Sequence, residues 1–184
     1  MTKTEDQTAT AVQDPSRTPV ADLVQRLQRE HRRWRTKDFP LIAHLFDEAE
    51  SLDGSEQPSC LGPLRSAFYR LFAELEGHMN REEHILFPAI LQAQKMAGAV
   101  TPGFGSIGNP IAMVEQEHQW ETERLESIRE MAENYELPED ADEKLRLLFQ
   151  ELEALEAAMH AHTRLESSIL FAQALSRERS KSVA

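Results

Sequence analysis

Two stretches of this chain repeat one another. EGHMNREEHILF carries His78 and Glu82, and MHAHTRLESSILF carries His162 and Glu166. In each, a His is followed four residues later by a Glu, and a short apolar run then ends at Phe87 or Phe171, so the two copies sit 84 residues apart throughout. Residues four apart lie about one turn apart on the same helix face. A single such pair is common. Two in register, with matching apolar neighbours, predict a duplicated helix pair whose polar positions face each other across a metal site.

The apolar residues recur in steps of three and four, the stripe of helices packed in a bundle. The first seam reads Val20, Val24, Leu27, His31, Trp34, Asp38, Leu41, Leu45, with Pro40 expected to kink or split the helix. The second reads Leu64, Phe68, Leu71, Leu75, His78, Glu82, Ile85; Pro63 suits its first turn, and Pro88 should bend its far end. The third reads Ile111, Val114, His118, Glu121, Leu125, Ile128, after Asn109-Pro110. The fourth reads Leu145, Leu148, Leu152, Leu155, Met159, His162, Glu166, Ile169. Four of the seven glycines fall between Gly98 and Asn109, the long connection between the halves, and a shorter one runs from Asn134 to Asp140. The expected architecture is all-α, an up-down-up-down four-helix bundle over residues 19–176. Residues 1–18 read as a disordered tail and residues 177–184 as a frayed end.

Polar groups occupy core slots on all four seams. A buried carboxylate without a partner costs on the order of several kcal/mol, and a divalent metal pair would compensate Glu82 and Glu166. His31 and His118 complete the set; each follows a Glu (Glu30, Glu117). The steps from His31 to His78 (47 residues) and from His118 to His162 (44 residues) place the four imidazoles at similar depth in an up-and-down bundle. The candidate ligands are His31, His78, Glu82, His118, His162 and Glu166, with each carboxylate able to bridge two metals. Imidazole and carboxylate without thiolate suit iron, manganese or zinc. His44, His84 and His160 fall off these faces. Glu30, Asp38, Glu74 and Glu121 are candidates to orient ligating imidazoles, and Asp38, Asp53 or Glu121 could themselves join the ligands.

Composition excludes other chemistries. The single Cys60 rules out an internal disulfide framework and any cysteine cage for zinc or an iron–sulfur cluster. A net charge of −12 argues against nucleic acid as a partner. No apolar run is long enough for a signal peptide or a membrane span, which points to the cytoplasm and away from a membrane partner. GFGSIGN follows no strand and is no phosphate loop.

In order along the chain, His31, HMNREEHILFP, EQEH and HTRLESSILF resemble the hemerythrin-like cation-binding domains, and the resemblance covers roughly Val20 to Leu175. It implies an up-down four-helix bundle holding a non-haem di-iron centre, two iron ions bridged by oxygen and by carboxylates. PIAMVEQEH and the two LF-containing segments look most like the di-iron domain of the repair-of-iron-centres proteins, which are implicated in restoring iron–sulfur clusters under oxidative or nitrosative stress and in reacting with nitric oxide. The resemblance therefore implies O2 or NO as small ligands and an iron or iron–sulfur client protein. Two departures stand out. Such proteins often carry a further His near the end of the first helix, where this chain reads Ser51, Leu52, Asp53, Gly54, and often a small Cys-bearing N-terminal domain, which is not in this sequence. Oxygen carriers of the group place a second His one turn after the first on the third helix; here that position is Thr122. A metal-dependent sensor or iron-donor module without turnover, a hydrolytic or structural zinc or manganese site, and a metal-free bundle are the rival readings.

Overall fold

The computed structural model describes residues 18–52, 58–95 and 105–182. Asp53 and all but the last residue of the tail read over residues 1–18 lie outside them, as does most of the connection read from Gly98. Among the described residues, seven α-helices form four rods: α1 Val20–Arg33 with α2 Phe39–Glu50; α3 Leu61–Arg81 with α4 Phe87–Lys95; α5 Gly108–Met131; and α6 Glu143–Leu165 with α7 Ala172–Ser182. There is no strand among the described residues. The signals that start the rods are physical. Pro63 and Pro110 lie in first turns, where a missing N–H leaves no helical bond unmade. Asp142 caps α6 by accepting the Lys144 N–H at 2.8 Å.

The apolar core is divided in two. One cluster is built on Trp34, Phe46, Phe68, Leu75, Met79, Leu125, Leu148 and Met159. The other is built on Leu27, Leu86, Phe87, Ile111, Val114, Leu165 and Phe171. Each rod passes from one cluster to the other, and consecutive rods do so in opposite order. The first rod enters at the Leu27 end and leaves at the Phe46 end; the second enters at Leu64 and leaves at Phe87. The third and fourth repeat this, so the bundle runs up-down-up-down. His31, His78, His118 and His162 each fall at the crossing point, and the polar layer lies between two apolar blocks.

Three rods contain a wide turn in which the backbone bonds five residues back instead of four. These π segments are Trp34–Asp38, Glu82–Leu86 and Glu166–Phe171. The Phe39 N–H reaches Trp34 O, and the Phe87 N–H reaches Glu82 O. Each wide turn inserts one residue and shifts the stripe by one position. The seams read from a 3.6 period are therefore corrected within or just past each turn, although Leu45 is buried as read. Ile42 is buried where Leu41 was expected, Leu86 (1% exposed) where Ile85 was expected (43%), and Leu170 where Ile169 was expected. The third rod has no wide turn, and its seam is buried as read from Ile111 to Ile128. Pro40 and Pro88 neither split nor end their rods. Each follows a wide turn by two residues, and the wider register lets the rod continue through a residue without an N–H.

Two further elements differ from the sequence reading. Residues 177 onward, read as frayed, are helical through Ser182. Glu178 ties this end to the start of the third rod by accepting the Ile107 N–H and the Ser106 hydroxyl, both at 2.9 Å. Between the third and fourth rods, Glu133, Asn134 and Tyr135 all have φ between 50° and 64°. This left-handed turn costs roughly 1–2 kcal/mol per residue. It delivers the Tyr135 hydroxyl to the buried Glu156 carboxylate at 2.9 Å.

The phase shift is directly testable. In urea unfolding of metal-stripped protein, Leu86→Ala should cost about 2–5 kcal/mol as a core truncation. Ile85→Ala should stay within about 0.5 kcal/mol, as expected of an exposed position. The reverse ranking would restore the unshifted seam.

Candidate metal centre

The mid-bundle layer brings together all six residues that the sequence singled out. They form two overlapping clusters. His31, Glu82, His162 and Glu166 make one, and His78, Glu82, His118 and Glu166 the other; within each, four ligand-capable atoms lie within 4.8 Å of one another. Both carboxylates belong to both clusters. All six residues are buried, Glu82 and Glu166 completely. Glu82 Oε2 is 3.3 Å from His31 Nε2 and 3.4 Å from His78 Nε2. Glu166 reaches His118 Nε2 at 3.1 Å and His162 Nε2 at 3.6 Å through different oxygens.

The outer ring nitrogens fix the inner ones. His162 Nδ1 donates to Glu30 at 2.9 Å, His78 Nδ1 to Glu117 at 2.9 Å, and His31 Nδ1 to Glu83 at 2.8 Å. Each carboxylate is also held by an arginine: Arg26 on Glu30, Arg81 on Glu117 and Arg35 on Glu83. A proton on Nδ1 leaves Nε2 as a lone-pair acceptor aimed inward. His31 Nε2 and His162 Nε2 thus face each other at 3.2 Å as two acceptors with no proton to share. Both oxygens of Glu82, both of Glu166 and His118 Nε2 have no hydrogen-bond partner. Leaving so many buried acceptors unsatisfied costs about 1–3 kcal/mol each. The donor set therefore fits cations placed between these atoms.

Titration follows the same logic. Burial, reinforced by the neighbouring Glu166 charge, pushes the Glu82 carboxyl well above the usual range. Burial pushes Glu166 to about 8. Burial and the Glu117 charge push Glu121 to about 8. Burial lowers His118 to about 4 and lowers His78 and His162 as well. Burial alone would raise Glu30, Glu83 and Glu117, but hydrogen bonds from imidazole and arginine outweigh it and hold all three below the usual range. The outer carboxyls stay charged and the inner ones hold protons that a metal would displace.

Of the orienting candidates, Glu30 is confirmed in contact with a core imidazole, although on a neighbouring rod. Glu121 lies 3.3 Å from His78 Nδ1. Asp38 pairs instead with Arg33, and Glu74 with Arg124 at the surface. Glu117, noted beside His118, was not among the orienting candidates, and Glu83 was missed altogether. The only signal for Glu83 was the doubled Glu in REEH, where the second Glu points around the helix to the first rod. His44 and His84 are exposed, and His160 faces Glu156 at 3.4 Å. Trp34 and Phe87 pack against His31, Trp34 also against His162 with ring centres 4.7 Å apart, and Phe171 stacks on His118.

Residues 22–174 match the family model described as Hemerythrin HHE cation binding domain. The chain is also similar to the iron-sulfur cluster repair protein YtfE of Yersinia pseudotuberculosis, with 29% identity over 163 residues that cover 89% of this chain and 67% of the relative. The similarity to YtfE of Yersinia pestis has the same identity and coverage. No helix among the described residues is long and apolar enough to cross a membrane.

The direction of pH dependence is fixed by these shifts. Folded Glu166 and Glu121 keep protons up to about 8 that the unfolded chain loses near 4.5. Their stabilisation is full below 4.5 and is lost as pH rises through 8. The lowered imidazoles act oppositely, but their effect ends at 6.5, where the unfolded chain has lost the same protons. Between pH 6.5 and 8 the raised carboxyls dominate, so metal-stripped protein should lose stability by up to about 1.4 kcal/mol per pH unit for each protonated carboxyl. Urea midpoints that stay flat or rise across this window would contradict the assignment.

Proposed function

Because the chain belongs to the hemerythrin HHE cation-binding family, we propose that it is a non-haem di-iron protein that binds or reacts with O2 or NO and serves iron-centre repair under oxidative or nitrosative stress. The observation that carries this is the pair of overlapping clusters with two shared, fully buried and unpartnered carboxylates. His31 and His162 would serve one ion, His78 and His118 the other, and Glu82 and Glu166 would bridge them. Manganese or zinc would fit the same donor types. The name of the YtfE relatives supports an iron–sulfur protein as client.

Bound iron would supply reversible exchange of electrons between its ferrous and ferric states. The chain's own residues do the rest. Glu30, Glu83 and Glu117 hold three imidazoles in one tautomer and enrich their inward lone pairs. Trp34, Phe87 and Phe171 pack against the imidazole rings and exclude water. Four imidazoles and two carboxylates would hold the ions, a small donor set for two metals that would leave room for a small ligand. A cleft of about 220 Å³ lined by Gln28, Arg32, Arg35, Thr36 and Glu83 reaches the carboxylate that holds His31.

Protein purified without added metal should contain iron at two ions per chain by elemental analysis, and its ferrous form should change visible spectrum on adding NO or O2. Glu82→Ala combined with Glu166→Ala should abolish stoichiometric iron. Zinc alone, or iron retained by the double variant, would sink the reading.

A further inference from the structure

The two halves of the centre are related by the sequence repeat, and the repeat breaks at the residues behind the imidazoles. Glu30 and Glu117 correspond, each 87 residues apart like His31 and His118, and each holds an imidazole at 2.9 Å. Glu83 has its counterpart 84 residues on in Ser167. Glu83 accepts the His31 Nδ1 proton at 2.8 Å and is itself anchored by Arg35 at 2.8 Å. Ser167 Oγ lies 3.5 Å from His118 Nδ1, the outer limit of a hydrogen bond. Arg35 corresponds to Thr122, whose hydroxyl is turned to its own helix and donates to His118 O. Trp34, which covers the rings of His31 and His162, corresponds to Glu121, a carboxylate beside His78.

We propose that the two metal positions are unequal, with the His31/His162 position the tight one and the His78/His118 position the exchangeable one, and that Ser167 in place of a carboxylate is the residue that sets the difference. This rests on the metal-centre reading above. A carboxylate behind a ligating imidazole fixes its tautomer and raises its basicity, and loss of such a partner lowers metal affinity about 10–100-fold. The first position has that support on both imidazoles. The second has it on His78 alone, and its wall carries a carboxylate where the first has an indole. Metal leaving the protein, for solution or for a client, would leave from the second position. Ser167 acts through His118 and is a positioning residue.

The shared carboxylates make the second ion weaker than the first even in a symmetrical centre, so stepwise filling alone does not decide the matter. The deciding comparison uses single-position variants of the full chain, titrated anaerobically with ferrous iron against a chromophoric chelator. His118→Ala reports the first position and His31→Ala the second. The first should bind at least about tenfold more tightly. Adding Ser167→Glu to His31→Ala should recover most of the gap. In the otherwise unaltered chain, Ser167→Glu should tighten the second binding step and leave the first unchanged, a readout available even if the His variants do not fold. Equal affinities, the opposite order, or no effect of Ser167→Glu would overturn this inference while leaving the metal centre intact. Absence of iron binding in the unaltered chain would overturn both.

Discussion

Two carboxylates with no access to water and no hydrogen-bond partner stand at the middle of this bundle. A charged carboxylate there is costly without positive charge, and a protonated one gives up the acceptor geometry that four imidazoles are arranged to share. The rest of the layer follows from this constraint. In His31, His78 and His162, Nε2 points inward because Nδ1 is tied outward by a carboxylate that stays charged through an arginine partner. The two apolar blocks on either side close the layer from both ends, which strengthens every electrostatic interaction within it.

The wide turns bear on the same layer. Two of them begin at Glu82 and at Glu166, and the third begins three residues after His31. A carboxylate at the start of a wide turn has its backbone carbonyl freed from the regular four-residue register. The rod beyond it is rotated by one residue. That rotation brings Phe87 and Phe171 to the imidazoles of the first and third rods, where each stacks at about 6 Å. The wide turns thus couple ligand placement to the aromatic packing around the rings. They also explain how Phe39-Pro40 and Phe87-Pro88 sit inside long rods without breaking them.

Much of this was legible from sequence because the bundle repeats its own pattern. Helical periodicity gave the four rods, and the coincidence of His and Glu with core slots gave all six residues of the layer. Two kinds of information were not legible. Counting by 3.6 assumes a constant register, so it named Leu41, Ile85 and Ile169 where the chain buries Ile42, Leu86 and Leu170. Pro40 and Pro88, each two residues past a wide turn, were the available hint for two of the three turns. Contacts between rods were the second gap. Glu30 and Glu117 were visible as neighbours of His31 and His118, yet each orients an imidazole on a different rod. Asp38 shared the seam but had an arginine five residues away to pair with, and it went there. Spacing along one helix does not specify which rod a long side chain reaches.

The repeat also separates what the proposed two-metal layer would require from what can vary around it. The four imidazoles, the two inner carboxylates, Glu30 with Glu117, and Phe87 with Phe171 are matched across the halves. Glu83 with Ser167, Trp34 with Glu121, and Arg35 with Thr122 are not. The matched set contains the groups that would touch metal, two of the carboxylates behind them, and the rings stacked on them. The unmatched set contains no candidate ligand: Glu83 and Trp34 touch imidazoles just as Glu30 and Phe87 do, and a change there alters basicity, polarity or water access without removing a ligand. A symmetrical inner layer within an asymmetrical surround would keep the proposed capacity for two ions while allowing each to be held with different strength.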